Sequence, residues 1–230
     1  MADILYRAHG PVTLVGGGPL APADLAAALE LAPDAVAADG GGDHPLPGGV
    51  AFRAVIGDMD SLRDAARLRA AGVAVFEVAE QDSTDLEKCL YSVEAPLFVG
   101  LGFLGGRIDH HLAAMNALAK HPAKRVVLIG GEDLCFLCPP RFEIALAAGT
   151  RVSLFPMGEV AGQEGAGLRW PVDGSFRPDG RIGTSNAAVG GPVRLGFDAP
   201  RMLVILPAAL LGRVVDRLRG APAWPVRRPG

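Results

Sequence analysis

Six aspartates in the first half of the chain, Asp39, Asp58, Asp60, Asp82, Asp85 and Asp109, gather near the ends of apolar runs, most of them beside Gly, Ser or Thr. In Gly57-Asp58-Met59-Asp60-Ser61 the two acids are i and i+2, so in an extended stretch both carboxylates point the same way and can serve one hard cation. The same string serves equally well as a turn followed by an N-cap for a helix over 61–71, with Asp60 or Ser61 as the cap. In Gln81-Asp82-Ser83-Thr84-Asp85-Leu86-Glu87-Lys88 Thr84 and Glu87 fit a capping box. Asp85 and Lys88, at i and i+3, share a face of the first helical turn, as a metal and phosphate pair or as a plain surface ion pair. In Leu101-Gly102-Phe103-Leu104-Gly105-Gly106-Arg107-Ile108-Asp109-His110-His111 glycines run into a helix start, where free N–H groups and Arg107 can hold phosphate. Neither the dinucleotide GxGxxG nor a P-loop is present. His110 and His111 are adjacent and so face different ways, which disfavours a shared metal and leaves one of them structural. Five acids at one sheet edge need a divalent cation and bases to balance them. Mg²⁺ characteristically binds through a few carboxylates plus substrate phosphates. A Mg²⁺-nucleotide site is the resulting expectation.

The elements that must carry these residues are short. Apolar runs at 12–15, 35–38, 54–56, 73–76, 97–101 and 126–129 alternate with helical stretches at about 22–31, 61–71, 84–94 and 109–120. Runs that are apolar throughout suit strands buried on both faces of a parallel sheet. Ligands of such sheets bind beyond the carboxyl ends of the strands, where these aspartates stand. After Gly130, pieces such as 134–137, 142–146, 151–155, 193–195 and 202–206 are separated by Gly and Pro, with no amphipathic helix until about 208–219. The expected fold is therefore an α/β N-terminal domain with a parallel sheet over 1–132 and an all-β, sandwich-like domain over 133–220, with 221–230 as a loose tail. The 230 residues suffice for two small domains, and 50% hydrophobic content excludes a disordered chain. A formal charge of -3 gives no basic footprint for nucleic acid. It divides unevenly, because Arg213, Arg217, Arg219, Arg227 and Arg228 stand against Asp216 alone in the last twenty residues. Cys89, Cys135 and Cys138 are too few for a disulfide framework and read as buried small hydrophobes in a reducing, cytoplasmic protein. No run approaches the length of a membrane span.

Taken together the strings resemble the thiamine pyrophosphokinase (thiamine diphosphokinase) family. They are Asp39-Gly40-Gly41, Gly57 to Ser61, Gln81 to Lys88, Gly105-Gly106-Arg107-Ile108-Asp109-His110, Ser153-Leu154-Phe155-Pro156-Met157-Gly158, Gly167-Leu168-Arg169-Trp170-Pro171-Val172 and Ser185-Asn186, in that order. The resemblance implies transfer of the pyrophosphoryl group of ATP to the hydroxyl of thiamine, releasing AMP, in a homodimer with active sites between subunits. It implies Asp58, Asp60 and Asp85 as Mg²⁺ ligands, with Asp39 and Asp109 around the phosphates. Gln81, Lys88 and Arg107 would contact ATP, and Trp170, Ser185 and Asn186 would line the thiamine pocket. An aromatic ring also suits a cationic thiazolium on elementary grounds, although a Trp in such a string serves equally in a sandwich core. The chain departs from the family pattern at Phe52-Arg53, where Pro-Asp is common, at Met59, a frequent aromatic, and at Ala187, where an acid usually follows Ser-Asn. Two alternatives share the nucleotide half. One is a pyrophosphokinase for another hydroxymethyl heterocycle such as a pterin, and the other is a non-catalytic nucleotide or thiamine sensor.

Overall fold

The computed structural model describes residues 3–225. The end of the expected tail, 226–230, lies outside the described residues. Elements run in the order β1 (Tyr6–Arg7), β2 (Val12–Val15), α1 (Pro22–Leu31), β3 (Asp34–Ala38), β4 (Ala54–Gly57), α2 (Ala65–Ala70), β5 (Ala74–Glu77), α3 (Asp85–Ser92), β6 (Val93–Glu94), β7 (Phe98–Leu101), α4 (Ile108–Lys120) and β8 (Val126–Gly130). They continue through β9 (Asp133–Leu137), β10 (Arg141–Leu146), β11 (Arg151–Pro156), β12 (Val160–Ala166), β13 (Gly174–Phe176), β14 (Gly183–Ala187), β15 (Gly191–Phe197), β16 (Met202–Pro207) and α5 (Leu211–Gly220). The fold is a mixed, strand-rich sheet fold. Its contacts divide it into two compact units, Met1–Ala117 with Leu128–Gly131, and Leu118–Val127 with Glu132–Gly230.

In the first unit β2 pairs parallel with β7, and β3 with β4 and β4 with β5, also parallel. β2 lies beside β3, and Val12 forms an isolated bridge with Pro33 just before β3. Every residue of β2, β4 and β7 is buried. That is why these strands read as unbroken apolar runs and not as alternation: helices and loops cover both faces. From β2 the chain steps to β3, β4 and β5 on one side and then returns to place β7 on the other side of β2. Such a reversal opens a crevice beyond the carboxyl ends of the two strands flanking it.

One boundary differs from the sequence expectation in an instructive way. The helix expected over 61–71 begins only at Ala65, and its cap is Asp64, whose carboxylate accepts from the Arg67 N–H at 2.8 Å. Neither Asp60 nor Ser61 caps it. The intervening amides are held from elsewhere, Ser61 N–H by Asp39 Oδ2 at 3.0 Å and Arg63 N–H by Asp43 Oδ2 at 3.1 Å. Two carboxylates of the short 3₁₀ turn Asp39–Asp43 thus grip alternate amides of the loop after β4 and keep it out of the helix. The helix expected over 84–94 likewise gives up its last two residues to β6, which pairs parallel with β1.

In the second unit the strand pairings of the described residues are antiparallel. β9, β16, β11 and β14 form one run, and β10, β15, β12 and β13 another. β10 alternates exposed and buried residues along its length, the signature of a strand with one wet face. Helix α5 buries Leu211, Val214, Val215 and Leu218, one face at helical spacing, and packs on β10. Beyond it the chain is tied down further than expected, because Trp224 Nε1 donates to Cys138 O at 2.8 Å and Arg125 donates to Ala221 O. Cys89, Cys135 and Cys138 are free and buried, and burial pushes all three thiols well above the usual range. No helix among the described residues is long and apolar enough to cross a membrane.

Candidate active site

A cleft of about 840 Å³ opens at the carboxyl ends of the parallel strands of the first unit. Five loops build it: Gly16–Pro19 after β2, the 3₁₀ turn after β3, Asp58–Arg63 after β4, Gln81–Thr84 before α3, and Gly102–Arg107 after β7, together with the start of α3. The loops close on one another through glycine. A Cβ on Gly41 would lie 1.9 Å from Val15 O, and one on Gly57 would lie 2.6 Å from the Asp39 Cβ. Both positions need a residue without a side chain because the Val15 carbonyl and the Asp39 Cβ and backbone pass where a methyl would stand.

Asp39 adopts φ +43°, an uncommon conformation for a residue with a Cβ. This turns its carboxyl inward, where the residue is 1% exposed. Oδ2 accepts from Ser61 N–H, while Oδ1 is buried and accepts no hydrogen bond from any described residue. Burial, with Asp85 adding repulsion, holds its pKa above the usual carboxylate range. Asp58 stands opposite in character. Burial alone would raise it, but hydrogen bonds from Lys88 Nζ at 3.1 Å, Gln81 Nε2 at 2.9 Å and the Asp60 N–H outweigh that and lower it. Asp60 Oδ1 accepts from Ser61 Oγ at 2.8 Å. Among the described residues Asp39, Asp58 and Asp60 are the carboxylates that can each offer an oxygen within 4.8 Å of the others.

Lys88 reaches this cluster from α3. The Thr84 capping box with Glu87 sets the start of that helix, and Lys88 then points its Nζ between Asp58 Oδ2 and Asp85 Oδ1, at 3.1 and 3.4 Å. Lys88 is 1% exposed. Burial would lower its pKa, yet the two carboxylates more than compensate and raise it, so the ammonium is retained. For Asp85 burial wins and its pKa rises, with Lys88 opposing and Asp58 and Asp60 reinforcing. Lys88 thus engages both Asp58 and Asp85, while the three carboxylates that come within 4.8 Å of one another are Asp39, Asp58 and Asp60. Glu80, on the loop before α3, accepts from the Asp82 and Ser83 N–H groups, the Ser83 hydroxyl and the Tyr91 hydroxyl, and so shapes the segment that carries Gln81.

Of the residues singled out in the sequence, Asp39, Asp58, Asp60, Gln81, Asp85, Lys88 and Arg107 line this one cleft. Arg107 is exposed and grips Asp109 with two bonds, at 3.1 and 2.6 Å, which lowers the Asp109 pKa. Asp109 itself does not line the cleft. His111 Nδ1 accepts from Gly105 N–H at 3.4 Å and His110 lines the cleft. Trp170, Ser185 and Asn186 lie in the second unit and are brought together there, Asn186 bonding both backbone groups of Trp170. The Trp170 ring is half exposed, with the Arg169 guanidinium 5.2 Å from its centroid. Sequence reasoning missed the Gly16-Gly17-Gly18-Pro19 loop, although Gly and Pro immediately after the buried run Val12–Val15 were the same signal that marked the other loops.

The resemblance carried by the motifs is borne out by comparison with known proteins. The family described as thiamin pyrophosphokinase, catalytic domain, matches residues 26–129. The chain is 35% identical over 162 residues to thiamine pyrophosphokinase 1 of Oryza sativa subsp. japonica, covering 62% of this chain and 61% of that one. It is 33% identical over 149 residues to thiamine pyrophosphokinase 1 of Arabidopsis thaliana, covering 56% of each. The alignments thus span about 60% of the length of these curated relatives. Among solved structures, it shares its fold with the thiamin pyrophosphokinase of Geobacillus thermodenitrificans, at TM-score 0.70 and 22% identity over 86% of this chain and 96% of that one. It shares it also with the yeast thiamin pyrophosphokinase, at TM-score 0.72 and 18% identity over 93% and 94%.

Proposed function

We propose that this chain is a thiamine pyrophosphokinase: it transfers the pyrophosphoryl group of ATP to the hydroxyl of thiamine and releases AMP. The observation that carries the reading is the cleft itself. Asp39, whose buried Oδ1 accepts no hydrogen bond from a described residue, offers an oxygen within 4.8 Å of Asp58 and Asp60, and the nearly inaccessible Lys88 pairs with Asp58. A buried acceptor with no donor fits a cation partner, and an all-oxygen donor set suits Mg²⁺. Asp39, Asp58 and Asp60 would hold the ion, with Asp85 next to them. Bound there, Mg²⁺ would neutralise phosphate charge and favour departure of AMP.

The residues of the chain do the rest. Gln81 and Lys88 keep Asp58 ionised, and Lys88 with Arg107 supplies positive charge for the phosphates. Asp109 orients the Arg107 guanidinium through its paired bonds. In the reaction the acceptor oxygen attacks the β-phosphorus, the bond from that phosphorus to the oxygen shared with the α-phosphate breaks, and the hydroxyl proton leaves to a carboxylate of the cleft. No covalent nucleophile is needed, so positioning and charge are what the fold must provide. We propose an α/β catalytic domain, 1–132, and a β-sandwich acceptor domain, 133–220, with Trp170, Ser185 and Asn186 on the thiamine side; these bounds differ from the contact units in assigning 118–127 to the first domain. We further propose a cytoplasmic homodimer with active sites between subunits. Ile108 and Leu112, one turn apart on α4 and 77% and 62% exposed, support an association surface.

Incubation with Mg²⁺, ATP and thiamine tests the reading, with AMP resolved from ADP. AMP with thiamine diphosphate supports it. ADP means simple kinase chemistry, and turnover with a hydroxymethylpterin but not thiamine selects the other acceptor class.

A further inference from the structure

Asn186 is 5% exposed, whereas the Trp170 beside it is 51% exposed. The Asn186 Oδ1 accepts from the Trp170 N–H at 3.1 Å and from the Ala187 N–H at 2.8 Å, and its Nδ2 donates to Trp170 O at 2.9 Å. A carboxamide offers two acceptor and two donor positions, so three of the four are spent inside the protein. Bonding both the N–H and the C=O of one residue is what the peptide of a neighbouring strand would do. The side chain therefore extends β14 toward the segment before Val172, where Arg169 N–H already donates to Ala187 O at 2.8 Å and Leu168 bridges Ala188.

A local irregularity aims it there. The β11–β14 register shifts between Val152 and Leu154, so that three steps along β14 match two along β11. Within the extra step Ser185 takes φ +62° and its N–H is held by Ser153 Oγ at 2.9 Å. Bulges re-aim the side chains that follow them, and here the following side chain is the one turned inward.

We propose that Asn186 is a positioning residue that fixes the backbone of Trp170 and so sets where its exposed ring is presented to the acceptor, without Asn186 touching the acceptor itself. The proposal rests on the reading that Trp170 serves the thiamine side. A double-mutant cycle tests it on the full chain, with KM for thiamine and for ATP measured for Asn186→Ala, Trp170→Ala and the pair. The two bonds to Trp170, each worth about 1 kcal/mol, correspond to an increase in thiamine KM of ten- to thirtyfold in Asn186→Ala, with ATP KM unchanged. The double variant should be no worse than Trp170→Ala alone. If instead the two effects multiply, Asn186 contacts the acceptor independently and the proposal is overturned. A second readout needs no turnover. In a Trp224→Phe background, where Trp170 is the sole tryptophan, Asn186→Ala and the isosteric Asn186→Asp, which loses the donor, should lower the fluorescence anisotropy of the ring. Unchanged anisotropy in both variants overturns the positioning role. An unmoved thiamine KM in Trp170→Ala, with anisotropy still responding to Asn186, overturns the functional reading instead.

Discussion

Lys88→Met isolates the electrostatic core of the cleft. Methionine keeps most of the apolar stem and removes the ammonium that sits 3.1 Å from Asp58 and 3.4 Å from Asp85. The Lys88 side chain is 2% exposed, that of Asp58 14% and that of Asp85 37%. Removing one partner of a buried pair costs about 3 to 5 kcal/mol, and the partial solvation of Asp85 places the expected loss near the lower figure, about 3 kcal/mol. For a chain of this size each kcal/mol moves Tm by roughly 2 to 4 °C, so the drop should be about 6 to 12 °C at pH 8 without metal. In the proposed site Mg²⁺ would replace the missing positive charge, so adding it should recover more Tm in Lys88→Met than in the wild type. Thermal unfolding by circular dichroism, with and without Mg²⁺, measures both. A loss below about 1 kcal/mol, with an equal Mg²⁺ shift in both proteins, would refute the view that Lys88 balances the carboxylates.

Asp39→Asn should raise Tm of the metal-free protein, because burial lifts the Asp39 pKa and ionising it at neutral pH costs stability, while the amide can still accept from Ser61. The same variant should lose Mg²⁺-dependent stabilisation; a lower metal-free Tm would contradict the orphaned-carboxylate reading. Glu80 is held at about 2 by the hydroxyls of Ser83 and Tyr91 and the amides of Asp82 and Ser83. Its folded value lies below its unfolded value of about 4.3, so its contribution is present above that pH and is lost as pH falls toward 2. Tm curves of wild type and Glu80→Gln should therefore converge between about pH 4.5 and 2, and parallel curves would argue against the clasp. Gly41→Ala should abolish soluble expression, since its Cβ would meet Val15 O, whereas Gly212→Ala in α5, with open space around it, should stabilise by about 0.5 to 1 kcal/mol. Equal behaviour of the two glycine variants would contradict the interlocked-loop geometry.

How much could be read in advance depended on how local the cause was. Strands such as Val12–Val15 and Phe98–Leu101 are buried on both faces, so their apolarity is unbroken and legible. The aspartates after β3 and β4 were legible by the rule that such sheets bind ligands beyond their carboxyl ends. The start of α2 was not, because the groups that unwind 61–64 belong to Asp39 and Asp43, about twenty residues earlier. That Asp39 comes within 4.8 Å of Asp58 and Asp60 depends on a backbone conformation of φ +43°, which is not visible in spacing. β12 escaped notice because Gly162 and Gly165 interrupt it. They are glycines where a Cβ would lie 1.7 Å from Val172 atoms, so an apolar pattern could not form there. Trp224 anchors a segment whose Pro and Arg content reads as loose, through one indole bond to Cys138 O.

The fate of labelled phosphate tests the central claim most directly. Full-length protein is incubated with Mg²⁺, thiamine and ATP carrying label at either the α- or the β-phosphorus, and the products are separated. The account predicts α-label only in AMP and β-label only in thiamine diphosphate, one for one, with both lost in Asp58→Asn. Label from the β-phosphorus recovered in ADP would contradict it, as would β-label in pyrophosphate without thiamine diphosphate.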